Sequence, residues 1–128
     1  LGTIVIIMSL WGMTHGDEWA EIGWGEGNVL AHDEAYEEMW ALHLMPLGVM
    51  AIITALIVTG KELAKIAMFA PIVLVNMLGG MLILTSDNGY GGTPTGVSAA
   101  LAGLMMLATI LTCASGFMHK GDTEESGD

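Results

Sequence analysis

Long apolar stretches alternate with short polar connections along this chain, and one strongly polar stretch lies near its beginning. The apolar runs cover residues 1–13, 41–59, 63–84 and 97–118 and hold a single charged residue, Lys65. A helix needs about 20 apolar residues to cross the hydrocarbon core of a bilayer, and the last three runs approach or exceed that length. The pattern therefore predicts an all-α integral membrane protein.

The first apolar run, residues 1–13, is too short to cross a bilayer by itself. It lacks the basic stretch and the small-residue cleavage motif of a signal peptide. The chain also begins with Leu1 rather than Met, so we interpret this run as the outer part of a helix whose beginning is missing. When residues 1–13 are counted as part of a span, residues 1–128 are expected to form one transmembrane domain, a four-helix bundle.

The lysines predict the orientation of the bundle. Two lie between the second and third runs and one follows the fourth: Lys61, Lys65 and Lys120. Connections that carry lysine stay on the cytoplasmic side of a membrane. We therefore expect both chain ends inside, a cytoplasmic tail at 119–128, and external loops at 14–40 and 85–96. The expected location is a prokaryotic-type cell membrane or its equivalent.

Composition agrees with a membrane protein and excludes one class of partner. The chain is 53% hydrophobic and 13% charged, with a mean hydropathy of +0.63. Its 14 acidic residues outnumber three lysines, no arginine is present, and the formal net charge is −11. A nucleic-acid binder needs a basic face to meet phosphate, so that class is excluded.

Ionisable groups are nearly absent from the predicted spans. Pumps and transporters usually carry buried charged residues or histidines along their path, so we do not expect this chain to transport or catalyse on its own. The polar side chain of Asn76 is expected to form a hydrogen bond between helices. The fourth run contains two pairs of small residues at four-residue spacing, which predict close helix packing: Ser98 with Ala102, and Ala99 with Gly103.

The stretch from Ala31 to Leu44 is rich in helix formers and predicts a surface helix that continues into the second run. Eight acidic residues and no lysine or arginine lie in the predicted external loop 14–40. They are Asp17, Glu18, Glu21, Glu26, Asp33, Glu34, Glu37 and Glu38. Such a cluster creates a negative field that attracts a basic external protein or cations. The alternative interpretation is solubility in salty surroundings, and the sequence favours neither.

Histidines provide the only candidates for a cofactor site. His15 closes the first run and His43 opens the second on the same predicted side, so two imidazoles could ligate haem b or copper. His32, Met39 and His43 share one helical face and suit copper, although His32 and His43 lie about 16 Å apart along a helix. The alternative, which we favour, is that these histidines form local hydrogen bonds and bind no cofactor.

Together these patterns predict a small accessory subunit of a larger membrane complex, of respiratory, photosynthetic or monooxygenase type. Its expected partners are other integral membrane subunits, lipid and a basic external protein. The alternative function is a membrane redox protein that holds haem b or copper through His15 and His43.

Overall fold

The computed structural model describes residues 1–85 and 87–121, and all regular structure within them is α-helical. Six helices follow one another along the chain: α1 (Gly2–Gly12), α2 (Gly16–Trp24), α3 (Asp33–Ile57), α4 (Gly60–Met68), α5 (Ala70–Thr85) and α6 (Gly96–His119). The prediction of an all-α protein is therefore confirmed. Most of the predicted tail, residues 122–128, lies outside the described residues.

Among the described residues, three helical stretches are long and apolar enough to cross a membrane. They are Asp33–Ile57, Gly60–Gly80 and Gly96–His119, the second of which joins α4 to most of α5. These stretches correspond to the last three predicted runs, which supports the assignment to a membrane. Helix α1 is apolar but only 11 residues long, so a fourth span is not shown.

Helix boundaries differ from the predicted runs where local chemistry favours or interrupts a helix. Helix α3 begins at Asp33, near the start of the surface helix predicted from Ala31 and ahead of the apolar run at 41, because acidic residues in a first turn interact favourably with the helix dipole. The third run is interrupted at Phe69, and Pro71 occupies the first turn of α5. Proline lacks an N–H donor and fits a first helical turn, so the chain restarts its helix there. The third predicted run therefore consists of two helices, α4 and α5, separated at Phe69.

Helices α1 and α3 form the most extensive contact in the molecule. They run antiparallel, so that Gly2 lies against Gly48 and the Ser9 hydroxyl donates a 2.8 Å hydrogen bond to the Ala41 carbonyl. A Cβ atom added at Gly2 would lie 2.7 Å from the Gly48 oxygen, which leaves no room for a larger side chain. The small residues are seven positions apart on each helix, which keeps them on one face over two turns.

Helix α2 packs on α3 where α1 ends. Its Trp19 belongs to a buried cluster with Ala41 and Leu44 of α3. A Cβ atom at Gly12 would lie 2.5 Å from the Trp19 ring and 2.6 Å from the Ala41 Cβ. The large indole therefore fits only because α1 ends on a glycine.

The second half of the chain packs more sparsely. Helices α4 and α6 approach closely where Gly116 lies against Ala64, and the Cys113 thiol lies 3.4 Å from the Met68 carbonyl. None of the α5 residues whose burial the structure describes is buried. An apolar cleft of about 950 Å³ runs between the two groups of helices, lined by Val5 and Leu47 on one side and by Leu63 and Val73 on the other.

Candidate functional site: an acidic cap

The acidic residues predicted to face outwards lie together at one end of the helices. We call this region the acidic cap and define it as α2, residues 25–32, the first turns of α3 (33–38) and the loop 87–95. Five of its nine acids are exposed: Asp17, Glu21, Glu26, Glu34 and Asp87. Glu18 and Glu38 are partly buried, whereas Asp33 and Glu37 are only 5% and 8% exposed. The cap therefore has internal as well as surface carboxylates.

Glu37 is joined to the loop between α5 and α6. The Tyr90 hydroxyl donates a 2.6 Å hydrogen bond to Glu37 Oε1, across 53 positions of sequence. Burial raises the pKa of Tyr90, and its hydrogen bond to the Glu37 carboxylate and the charge of that group raise it further. The phenol therefore remains a protonated donor, which is the state this bond requires.

Helix α2 makes two more connections across the cap. The Ser98 hydroxyl, in the first turn of α6, donates a 2.7 Å hydrogen bond to Glu18 Oε1. The backbone N–H of Gly91 donates a 2.8 Å hydrogen bond to the carbonyl of Gly23. These bonds fix α2 to the loop and to α6, although the sequence separates the partners by 68 to 80 positions.

Glycine and aromatic residues allow this loop to approach so closely. The Trp24 and Tyr90 rings meet edge to face, with centroids 5.0 Å apart and planes at 79°. A Cβ atom at Gly23 would lie 2.2 Å from the Tyr90 ring, and one at Gly92 would lie 1.9 Å from the Ile22 carbonyl oxygen. Both glycines are therefore required for the contact.

The Asp33 carboxylate also contacts other residues of the acidic cap. Its Oδ2 accepts a 2.7 Å hydrogen bond from the Leu30 backbone N–H, and its Oδ1 lies 3.5 Å from His32 Nε2. Of the eight acids predicted to dock a partner, Glu18, Asp33 and Glu37 are thus engaged by the chain itself. Docking stays a prediction, and the exposed members are the ones available for it.

Each of the two predicted haem or copper ligands is engaged by the residue four positions before it in the chain. The His15 ring stacks on Trp11, with centroids 3.6 Å apart, and its Nδ1 lies 3.1 Å from the Trp11 carbonyl oxygen. The exposed His43 makes the same kind of hydrogen bond to the Met39 carbonyl. A carbonyl only accepts, so Nδ1 is the donor and a neutral ring keeps the lone pair on Nε2.

The described residues contain no group of three or more His, Cys, Asp or Glu side chains that could hold a metal ion. Of the predicted copper face, His32, Met39 and His43 are all exposed, and the His32 ring contacts Tyr36. Within residues 1–85 and 87–121, the structure shows no contact between the rings of His15 and His43. Cofactor binding therefore stays a prediction that the packing of this chain does not itself support.

The predicted packing residues of α6 divide between two faces. Ser98 is buried and Ala102 is partly buried, whereas Ala99 and Gly103 are exposed. A Cβ atom at Gly103 would meet no atom within 4 Å. Asn76 is exposed on α5 rather than placed between helices of this chain.

Sequence reasoning missed the residues that hold the cap and the first helices together. The recurrence of Gly2 and Ser9, and of Ala41 and Gly48, at seven-residue spacing was a signal for the α1–α3 contact. The pairing of Tyr90 with Glu37 had no comparable signal. Neither protein-family models, curated proteins nor solved structures gave a match to this chain.

Proposed function

We propose that this protein is a small accessory subunit of a larger membrane complex, of respiratory, photosynthetic or monooxygenase type. The observation that carries the proposal is the uncovered small-residue face of α6, formed by Ala99 and Gly103. Small residues in membrane helices allow two backbones to approach closely. This chain uses them in that way at Gly2, Gly48 and Gly116, but supplies no neighbour for Gly103.

Helix α5 supports the same proposal. Gly79 and Gly80 lie in its second half, and a Cβ atom at either would meet nothing within 4 Å. Only 6% of the apolar window in Gly60–Gly80 is buried within the chain. Lipid can cover such a surface, but a glycine pair gains close packing only from another helix.

The proposed topology has four spans with both chain ends inside and the acidic cap outside a prokaryotic-type membrane. It rests on the position of the lysines, which are found only in α4 and after α6, at the end opposite the cap. In this topology α1 is part of a fourth span. The reason is that α1 lies antiparallel to α3, beside the half of α3 that is nearer to the acidic cap.

The acidic cap is proposed to meet a basic external protein. Asp17, Glu21, Glu26 and Glu34 are exposed there, and no lysine or arginine lies between α1 and the end of α3. A surface whose charges all have one sign raises the association rate of a partner that carries the opposite charge.

A redox protein that holds haem b or copper through His15 and His43 is the second candidate. The feature that favours it is the lone pair on Nε2 of each ring, since Nδ1 is held by a carbonyl in both cases. Metal-ligating histidines commonly have their other nitrogen held in this way. A Soret band or bound copper that disappears in His43→Ala would establish this candidate.

The test is mild purification from the native membrane, with Gly103→Leu compared with the wild type. We expect wild-type protein to co-purify with other integral membrane subunits, and Gly103→Leu to reduce their recovery at least tenfold. Leu104→Phe is the matched control, because it also enlarges an exposed residue but lies about 100° around α6. A wild-type protein recovered as a lone colourless monomer would contradict both candidates, and equal recovery with Gly103→Leu would contradict the proposed interface.

A further inference from the structure

A second cavity, of about 510 Å³, lies between the beginning of α3, the second half of α5 and the acidic cap. Four aromatic residues and two carboxylates line it: Trp24, Tyr36, Trp40, Tyr90, Asp33 and Glu37. We call it the aromatic–acid pocket. Met77 and Gly80 of α5 complete its apolar side.

No lysine or arginine of the chain balances the negative charge in this pocket, and His32, whose Nε2 lies 3.5 Å from Asp33 Oδ1, is the one basic side chain beside it among the described residues. Asp33 and Glu37 lie one helical turn apart and are at least nine-tenths buried. Their hydrogen bonds come from Tyr90 and from the Leu30 N–H, which are neutral donors. A buried carboxylate is costly unless it is paired with a positive charge or neutralised.

The lysines of the chain are too far away to supply that charge. Twenty residues of helix, about 30 Å, separate Glu37 from the end of α3, and Lys61 and Lys65 lie beyond that end. Lys120 lies 22 residues, about 33 Å, along α6 from Ser98, which is bonded to the cap. The chain has no arginine. His32 lies beside Asp33 alone, so a positive charge that balances Glu37 would have to come from a ligand.

The aromatic walls are suited to a particular class of cation. Trp24 and Tyr90 stand nearly perpendicular, at 79°, and form one corner of the pocket. The faces of tryptophan and tyrosine attract cations, and several rings around one site recognise quaternary ammonium groups. A bare metal ion fits less well, because no group of three ligating His, Cys, Asp or Glu is present among the described residues. The volume is also that of a small organic ligand.

We propose that the aromatic–acid pocket binds an organic ammonium cation, such as a trimethylammonium group, either free or as a lipid headgroup. The carboxylates of Asp33 and Glu37 supply the counter-charge. Trp24, Trp40 and the two tyrosines cover the apolar surface of the cation. This inference is independent of the proposed role in a complex.

The first test compares a cation with its uncharged isostere on the wild-type protein. The full chain is purified in a maltoside detergent, and choline or 3,3-dimethylbutanol is titrated at constant ionic strength while tryptophan fluorescence is recorded. Two of the four tryptophans line the pocket, so binding changes the signal. We expect saturable binding of choline, with the neutral isostere at least tenfold weaker.

Two pairs of variants locate the site. Glu37→Gln retains an acceptor for Tyr90 but removes the charge, and we expect it to weaken choline binding at least tenfold. Glu34→Gln is the control, because this exposed acid lies on the same helix outside the pocket, and we expect no change. Trp24→Phe is expected to retain more affinity than Trp24→Leu, since only the former keeps an aromatic face.

The source of the cation is found by repeating the choline titration in phosphatidylglycerol nanodiscs with and without phosphatidylcholine. Competition by phosphatidylcholine supports a lipid headgroup, and its absence supports a free cation. Equal binding of 3,3-dimethylbutanol would overturn the proposal in favour of a plain apolar cavity. An equal response to sodium or magnesium would show only screening of the acidic surface, and a lack of saturable binding would show that the carboxylates are neutralised by protons instead.

Discussion

Small residues have opposite surroundings at the α1–α3 contact and on the outer surfaces of α5 and α6. In residues 1–57, Gly2, Gly12 and Gly48 lie at tight helix contacts where even a methyl group would overlap a neighbour. In residues 60–119, Gly79 and Gly103 lie in equally apolar helices but have no neighbour within 4 Å of an added Cβ. The comparison shows that a small residue in an apolar helix indicates the capacity for close packing, whereas the structure alone shows whether this chain uses it.

The largest expected effect comes from adding one methyl group to each half. In Gly48→Ala the new Cβ would lie 2.7 Å from Ile6 Cγ1 and 2.8 Å from the Gly2 oxygen. We expect a loss of about 1–3 kcal/mol in the free energy of unfolding, as is typical of overpacking. In Gly79→Ala the methyl group meets nothing, and helix propensity favours alanine by up to about 1 kcal/mol.

Reversible unfolding of the purified monomer by dodecyl sulphate in mixed micelles measures both changes. The two variants are expected to shift the midpoint in opposite directions. Shifts of the same sign would show that the α1–α3 contact and the outer surface of α5 do not differ in packing as described.

Alkaline pH is expected to have an intermediate effect on the free energy of unfolding. The effect tests the acidic cap in particular, because it acts through Tyr90. Tyrosine in an unfolded chain titrates near pH 10, whereas burial and Glu37 raise the pKa of Tyr90 in the folded protein. The raised pKa stabilises the fold fully below pH 10, and this contribution is lost as the pH rises towards the folded value. We expect a loss of about 1 kcal/mol per pH unit above 10, reduced from the ideal slope because Tyr90 is only partly buried.

Tyr90→Phe is the comparison for this measurement, because it removes the titrating hydroxyl and keeps the ring. Subtracting its unfolding free energy from that of the wild type isolates the contribution of the Tyr90 hydroxyl from that of the other groups in the chain. If the difference in unfolding free energy between the wild type and Tyr90→Phe stays constant from pH 9 to pH 11, the hydrogen bond between Tyr90 and Glu37 is contradicted.

The smallest expected effect tests the hydrogen bond between α1 and α3. Ser9→Ala removes the donor to the Ala41 carbonyl, and hydrogen bonds between membrane helices contribute on average about 0.6 kcal/mol. Ser115→Ala, at an exposed position of α6, is expected to change the unfolding free energy by less. Equal losses in the two variants would show that the buried bond contributes nothing specific.

Much of the helical framework follows from the apolar runs. The run at 97–118 corresponds to α6 within one residue at each end, because uncharged helix formers are bounded there by Thr95 and Lys120. The sequence does not show whether the third run is one kinked helix or two helices that meet at Phe69, because Pro71 is compatible with either. The position of α2 across α1 and α3 depends on how the Trp19 ring fits over Gly12. A hydropathy pattern contains no information about that fit, so the position of α2 could not be predicted.

The candidate site was predictable in location but not in arrangement. The concentration of acids in residues 14–40 indicates the acidic cap directly. Hydropathy and charge do not distinguish exposed Glu34 from buried Glu37, because burial depends on Tyr90 from a distant loop. The aromatic–acid pocket likewise needs three separate segments, and only their three-dimensional packing brings them together.

The hydrogen bond between Ser98 and Glu18 has a consequence for the order in which the protein is made. Glu18 leaves the ribosome 80 residues before its partner, which belongs to the last helix. The cap therefore cannot close until α6 has been synthesised and has taken its place beside α1. Until then Glu18 lacks this partner, and formation of the bond reports that α6 has reached its position beside α2.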